Sequence, residues 1–457
     1  MEQSGEKEWR EIEAEKCPGE REAKRGMEKY IIHGKVITMA EQASGIKGFY
    51  EDGYVHIADG KIAGVGDMRD WKELVQVSDR AEVMDVGGRT VMPGLIEAHC
   101  HMGITEEKKG MEGDDCNENV DPVTPYLRAI DAINPMDAAF DDAVRAGITS
   151  AMIGPGSANV VGGQFAFIKT KGRRIDDLAV LAPAAMKIAF GENPKVNYSG
   201  QGKMPATRMA IAGLLREELF LAKQYWEKKK QAKREAGTQA LEGIPDFEED
   251  FRYECWIPVF EKKIPLKAHV HRVDDIFTAI RIAKEFGLNM TLDHCSEGHL
   301  VAEELAKEGF PAIVGPDLSS RSKIEVQNVA FKTAGILHAA GVKVAVTTDH
   351  PVSLIQSLPI CAGFCVKSGM DMEAALRAIT IHAAQICNVA DRVGSLEIGK
   401  DADIAVFDGN PLEVSSETFC TWIDGEVAFR QEEGGKEQGA SIRKREQGAQ
   451  AGKKGKG

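Results

Sequence analysis

Short apolar runs alternate with longer helical patterns through the middle of this chain. Segments such as "VDDIFTAIRIAKEFG" carry apolar residues at helical spacing, whereas runs such as "NMTLDHC" have the length and content of buried strands. The strand-like runs cover residues 92–101, 147–156, 184–191, 265–271, 289–295, 310–316 and 341–350, with a weaker run at 162–172. Strand, helix and strand at this spacing predict parallel β/α units, and about eight such units close into a TIM-type (β/α)8 barrel.

Glycine-punctuated β patterns flank this α/β region on both sides. The first, "YIIHGKVITM" and "GYVHIADGKIAGVGD", precedes it, and a similar texture returns in "GSLEIGKDADIAVFDGNPLEV" and "TFCTWIDGEVAFR". We therefore expect a small β-sandwich domain built from both chain ends. Its first part is placed at residues 30–90 and its second at 391–430, with the barrel at 91–390 between them.

Three further segments lie outside this scheme. Residues 193–264 interrupt the barrel pattern with a helical stretch that ends in a lysine-rich run and is followed by an acidic segment, so a helical insertion is expected there. Residues 1–29 are dense in charge and form an N-terminal extension. Residues 431–457 are poor in apolar side chains and rich in Gly, Lys and Gln, which predicts a disordered tail.

Composition narrows the function classes. The chain has 457 residues, of which 43% are hydrophobic and 28% charged, and no apolar stretch approaches the roughly 20 residues that cross a bilayer. Nine scattered cysteines without a CxxC pair, and an N-terminus without the apolar core of a signal peptide, favour a cytoplasmic enzyme. The formal charge of −14 argues against a nucleic-acid binder. We expect a small-molecule substrate as its partner, neither nucleic acid nor membrane, and leave a homo-oligomer open.

Residues with metal-binding side chains recur where the predicted strands end. In "VMPGLIEAHCHMG" the alternation of a strand places both histidines on one face, although an isolated His-x-His pair means little by itself. Because the carboxyl ends of all barrel strands meet on one face, side chains from five strand ends converge there. This convergence predicts a metal site. The candidates are His99, His101, Lys187, His269, His294 and Asp349.

The sequence resembles the amidohydrolase superfamily, in the branch that includes imidazolonepropionase-like and prolidase-like enzymes. The resemblance covers roughly residues 30–430 and rests on "PGLIEAHCH", "AHVH", "LDHC", "TTDHP" and "GSLEIGKDADIAVFD". It implies that His99 and His101 hold a more buried metal with Asp349, and that His269 and His294 hold a more exposed one. It also implies that Lys187 is carboxylated and bridges the two. This set suits Zn²⁺, one or two per chain, and Mn²⁺ or Fe²⁺ would tolerate it.

The expected chemistry follows from this ligand set. A metal-bound water has its pKa lowered toward neutrality and supplies hydroxide at pH 7. Asp349 would act first as general base and then as general acid, and a metal would polarise the carbonyl. The expected reaction is hydrolysis of a non-peptide, cyclic amide or small-peptide carbon–nitrogen bond.

Some residue roles stay open. His271 lies two residues beyond His269 on the same strand face, so it could replace it as ligand or reach the substrate. Glu192, in a Gly-Asn-Pro turn at the top of the barrel, could bind the substrate, and it also competes with Lys187 as the bridging group. Arg208 stands at a helix start, where a guanidinium could bind a substrate carboxylate, although a solvent-exposed arginine is the commoner outcome.

Two alternative functions also remain. A mononuclear deaminase of the same superfamily needs a glutamate that shuttles protons, and Glu297, three residues after His294, is a candidate. A catalytically inactive binding homologue would be marked by lost ligands, yet every expected ligand position is filled here.

Overall fold

The computed structural model describes residues 28–71, 81–108, 110–236 and 247–432. The N-terminal extension expected at residues 1–29 and the disordered tail expected at 431–457 therefore lie outside the described residues, apart from two residues of each.

The strands of the described ranges form two sheets. In chain order they are β1 (Lys29–Ile37), β2 (Phe49–Ala58), β3 (Lys61–Asp67), β4 (Glu82–Asp85), β5 (Thr90–Pro93), β6 (Leu95–Cys100), β7 (Ile148–Ile153), β8 (Val161–Lys169), β9 (Ala179–Ala189), β10 (Leu266–Val270), β11 (Met290–His294), β12 (Ala312–Val314), β13 (Val344–Val346), β14 (Ile404–Phe407), β15 (Thr418–Ile423) and β16 (Glu426–Arg430).

Helices occupy most of the connections between the barrel strands. They are α1 (Ala138–Arg145), α2 (Ile175–Leu178), α3 (Glu192–Ser199), α4 (Arg208–Ala236), α5 (Phe251–Glu254), α6 (Ile257–Phe260), α7 (Val273–Phe286), α8 (Ala302–Glu308), α9 (Lys332–Ala339), α10 (Leu358–Lys367), α11 (Met372–Ala378) and α12 (Ile381–Ile386). Within the described ranges, none of these helices combines the length and apolar character that crossing a bilayer requires.

The first sheet joins the two ends of the chain, as the sequence predicted. Its strand order is β16-β15-β14-β5-β1-β2-β3, and β4 pairs with β1. Within this sheet the two ends join by the antiparallel pairing of β14 with β5, in which Ile404 lies opposite Pro93. A separate apolar cluster that includes Ile31, Val55 and Trp422 fills this part of the molecule.

The second sheet runs from β6 to β13 in sequence order, and its two outer strands meet to form a barrel. His101 donates its backbone N–H to the carbonyl of His350 across that seam, at 2.8 Å. The TIM-type α/β barrel predicted from the sequence is confirmed. One strand departs from the expected all-parallel pattern, because β8 is antiparallel to both β7 and β9. Only residues 154–160 separate β7 from β8, too few for the crossover that parallel neighbours need.

The interruption expected at residues 193–264 lies between β9 and β10. Its long helix α4 turns the apolar residues Leu215, Leu219 and Ala222 inward, and all three are fully buried. Trp256, just before α6, donates its ring N–H to Glu218 on α4 at 3.0 Å. The described part of this segment therefore packs as an outer layer on the barrel, next to α7.

Candidate metal centre

Two histidines of the first barrel strand meet an aspartate that follows the last one. The ligand atoms of His99, His101 and Asp349 all lie within 4.8 Å of one another. Asp349 Oδ1 is 3.2 Å from His101 Nε2 and 3.7 Å from His99 Nε2. All three residues are buried, so their polar atoms have little access to water.

The outer nitrogen of each of these histidines is held by the protein. His99 Nδ1 lies 2.7 Å from Asp293 Oδ2, and His101 Nδ1 donates to the carbonyl of Gly154 at 2.7 Å. Asp293 is itself held by Thr291 and by Lys267. Each imidazole therefore directs Nε2 toward Asp349. An outer partner of this kind fixes the tautomer and ring orientation of metal-binding histidines.

The backbone is strained at two of the predicted site residues. Asp349 has φ 52° and His294 has φ 70°, in the left-handed region that side-chain-bearing residues rarely adopt. The Asp349 conformation is supported by its N–H, which donates to Thr347 Oγ1 at 3.0 Å. Strain of this kind concentrates at functional sites, where the surrounding structure over-determines the backbone.

Lys187 points into the barrel beside His99. Its Nζ is 3.4 Å from His99 Nε2, and the residue is fully buried. Lys267, its register neighbour on β10, forms an ion pair with Asp293 at 3.1 Å, whereas Lys187 forms none within the described ranges. Burial lowers the pKa of Lys187 to about 8, against the opposing effect of the nearby aspartates. Its neutral amine is therefore much more accessible than that of an ordinary lysine.

A second group of metal-binding side chains lies beside the first. The ligand atoms of His269, His271 and Glu325 are within 4.8 Å of one another, and all three residues are buried. Each of the two histidines places Nε2 at 3.9 Å from Glu325 Oε1. The His294 ring lies 4.5 Å from the His269 ring and 5.1 Å from the His99 ring, centroid to centroid. The predicted ligands thus form one continuous cluster at the carboxyl ends of the strands.

Burial sets the protonation state of most of these imidazoles. It lowers the pKa of His99, His269 and His294 well below the ordinary value and that of His271 to about 4. They are neutral at pH 7, the form that binds metals. His101 differs: burial alone would lower its pKa, but Cys116 and Asp349 raise it to about 10. A metal ion would have to displace that proton.

The other candidates from the sequence occupy different positions. Arg208 donates its Nε–H to both carboxylate oxygens of Asp275 on α7 at 3.0 Å, and its role in binding a substrate carboxylate stays a prediction. Glu192 contacts the site through its backbone N–H, which donates to Glu325 Oε2 at 2.7 Å. Among the hydrogen bonds and ion pairs of the described residues, neither side chain reaches the cluster.

Glu297, the candidate proton shuttle of a deaminase, accepts hydrogen bonds from the surrounding protein. Its Oε2 accepts the N–H of Val273 at 2.9 Å, at the start of α7, and its Oε1 accepts from Asn328 at 2.8 Å. Both oxygens are thus bound by the protein.

Sequence reasoning missed Glu325 and Cys116. Glu325 lies in a short 3-10 turn, Ile324–Val326, within a polar loop that follows β12. Nothing in "SSRSKIEVQN" distinguishes this glutamate from a solvent-exposed one. Cys116 lies beside His101 in a loop after β6 and is buried. The only available signal was that both loops follow barrel strands on the catalytic face.

The site is a cluster of potential metal ligands at the carboxyl face of a TIM-type barrel. The amidohydrolase family model matches residues 258–429. A solved amidohydrolase from Thermotoga maritima is 37% identical, with a TM-score of 0.81 over 88% of this chain and all of that one. The chain belongs to the amidohydrolase family. It is accordingly a hydrolase acting on carbon–nitrogen bonds.

Curated relatives extend the comparison. Amidohydrolase tasK of Hapsidospora irregularis is 28% identical over 371 residues, which is 78% of this chain but 38% of that protein. The present chain thus spans well under half the length of that relative. The imidazolonepropionase of Paracoccus denitrificans is 25% identical over 410 residues, covering 84% of this chain and 95% of that enzyme.

Proposed function

We propose that this chain is a metal-dependent amidohydrolase that cleaves a small-molecule amide, cyclic or from a short peptide. One observation carries the proposal: His99 and His101 are held at Nδ1 by fixed acceptors and turn Nε2 toward Asp349. His269 adds independent support, because neither of its buried ring nitrogens has a hydrogen-bond partner within the described part of the chain. Buried polar atoms are rarely left in that state, so a ligand is the natural partner.

The donor set fits Zn²⁺ first, and Mn²⁺ or Fe²⁺ would accept it. His99, His101 and Asp349 would hold one ion, and His269 with His294 would face a second. Lys187, as a carbamate, would bridge the two positions. When bound, such ions polarise a carbonyl and lower the pKa of water toward 7.

Asp349 is the residue placed to move the proton. Its Oδ1 faces the first-strand histidines, while its Oδ2 lies 3.8 Å from His294 Nδ1. We assign to its carboxylate the proton of the attacking water, which it returns to the departing nitrogen. The enclosed position of Asp349 limits proton exchange with bulk water during that interval.

Amide hydrolysis is supported better than deamination. A deaminase would require a carboxylate free to shuttle protons after His294, and both oxygens of Glu297 are already hydrogen-bonded. A binding homologue without catalysis would be expected to lack a ligand, and each predicted position holds its side chain in the cluster.

The test is metal analysis followed by a screen of lactams, imidazolones, aminoacyl dipeptides and amidines. On the substrate found, Asp349→Asn should lower kcat by about 10²–10⁴-fold, the usual contribution of general acid–base catalysis. Glu297→Gln is the matched control and should retain wild-type kcat. A near-normal kcat in Asp349→Asn would show that Asp349 does not carry the proton. A large loss of kcat in Glu297→Gln would favour the deaminase.

A further inference from the structure

We propose that Glu325, together with His269 and His271, is a direct ligand of the second divalent ion. The proposal rests on the function proposed above and adds Glu325 and His271 to His269 and His294 around one of its two ions. His294 keeps its place, because its Nδ1 lies 2.8 Å from the carbonyl of Gly315 and its Nε2 is left for a ligand. It also assigns a role to Lys323, as the internal cation that neutralises Glu325 when no metal is bound.

The geometry brings the three ligand atoms to one point. Zinc bonds to imidazole nitrogen and carboxylate oxygen are about 2.0–2.2 Å long, so two ligands of one ion are at most about 4.2 Å apart. Glu325 Oε1 lies 3.9 Å from the Nε2 atoms of both His269 and His271. These separations are within the span of a single ion.

The protein holds the opposite atom of two of these groups, as it does for His99 and His101. His271 Nδ1 is 2.8 Å from Ser296 Oγ, which leaves Nε2 for a ligand. Glu325 Oε2 accepts the N–H of Glu192 at the start of α3, which leaves Oε1 facing the two imidazoles. Outer partners of this kind orient metal ligands. The Glu325 side chain is almost completely buried, and a buried carboxylate needs a cation partner, which is either Lys323, 2.6 Å from Oε1, or a metal ion in its place.

His269 supplies the second, independent observation. Its side chain is 95% buried, and both of its ring nitrogens lack a hydrogen-bond partner among the described residues. A role confined to packing would leave this polar ring unsatisfied at a cost in free energy. An ion bound at Nε2 would satisfy that nitrogen and lower the cost.

Lys323 shows how the carboxylate is balanced without metal. Its Nζ lies 2.6 Å from Glu325 Oε1 and donates to Asn193 Oδ1, also at 2.6 Å. A metal ion and this ammonium compete for the same oxygen and repel each other. Removing the ammonium should therefore strengthen metal binding.

The experiment titrates the metal-free full-length protein with Zn²⁺ by calorimetry and counts bound ions by mass spectrometry after dialysis. We expect two ions in the wild type. Glu325→Gln should weaken the second step by at least about tenfold, since even outer-sphere changes at metal sites cost 10–100-fold, and leave the first step unchanged. The amide oxygen of the variant can still accept the Glu192 N–H. His271→Gln should act similarly, and Lys323→Met should tighten the second step.

Two controls separate this inference from the function on which it rests. Glu297→Gln changes a nearby buried carboxylate whose oxygens are both hydrogen-bonded, and should bind two ions like the wild type. His101→Gln should weaken the first step whatever the role of Glu325. An unaltered first step, or a wild type without bound metal, refutes the proposed function and this inference with it.

The remaining outcomes bear on Glu325 alone. A second ion bound with wild-type affinity by Glu325→Gln and His271→Gln overturns the ligand assignment and leaves the first site intact. The ligand assignment is also overturned if the wild type binds a single ion and His101→Gln fails to bind it. Should Glu325→Gln fail to fold, Lys323→Met decides, since an unchanged second affinity there also refutes the proposal.

Discussion

Lys187 offers the sharpest test of the bridging arrangement, because its chemistry depends on losing a proton. Carbamate formation needs the neutral amine, whose lone pair attacks carbon dioxide and whose proton then leaves. With a pKa of about 8 instead of 10.5, about one Lys187 in ten is neutral at pH 7, against roughly one in three thousand for an ordinary lysine. Burial thus raises the reactive fraction by roughly 300-fold.

We expect the metal-loaded wild type to incorporate ¹³C from labelled bicarbonate as a single carbamate resonance. Lys187→Met should lose both that resonance and tight binding of one metal ion. Lys229→Met is a matched control, since this lysine is also buried but its Nζ lies 2.7 and 2.6 Å from Glu249 and Glu254. The neutral fraction of Lys187 falls about tenfold per pH unit below its pKa, so labelling of the metal-free protein should fall steeply from pH 8 to pH 6.

The competing bridge is a glutamate. If Lys187→Ala keeps two metals per chain while Glu192→Gln loses one, the carbamate assignment is wrong. A carbamate resonance that persists in Lys187→Met would refute the reasoning equally, because the label would then lie on another amine.

Three stability predictions concern buried charged side chains that are not proposed as metal ligands. Lys169→Met should lower the free energy of unfolding, measured in urea, by about 3–5 kcal/mol, because the buried Nζ lies 2.7 Å from Asp403 and 3.0 Å from Asp401. The control Lys61→Met, at a half-exposed lysine, should lower it by about 0–1 kcal/mol, and equal losses in the two variants would contradict the prediction. Burial opposes ionisation of Asp401, but Lys169 and Lys61 lower its pKa to about 2, so its stabilisation is complete above about pH 4 and is lost as the pH falls toward 2. Glu97→Gln should cost about 1–3 kcal/mol in a thermal melt, because an amide NH₂ would face the donors of the β13 end.

The sequence predicted the strand-end residues because alternation and strand position determine where such side chains point. The predicted histidines lie within or directly after short apolar runs, as His99, His101 and His294 do. The carboxyl ends of the parallel barrel strands meet on one face. The reversed direction of β8 could not be predicted, since a period-2 pattern is the same in both directions. Glu325 could not be predicted either, because it lies in an irregular loop whose path has no periodic pattern. The hydrogen bond from Arg208 to Asp275 likewise depends on tertiary packing.

The histidine–aspartate group also spans the seam at which the barrel closes. His99 lies in β6 and His101 directly follows it, whereas Asp349 lies in the loop after β13. Thr347 donates Oγ1 to the carbonyl of His99 at 2.6 Å, and Glu97 accepts the N–H of Thr348 at 2.9 Å across the same seam. Closing the barrel and assembling the ligands are therefore one event. An ion bound by the closed form alone must stabilise closure by mass action. It follows that Glu97→Gln, which touches no ligand side chain of this group, should weaken the first metal step as well as lower the melting temperature.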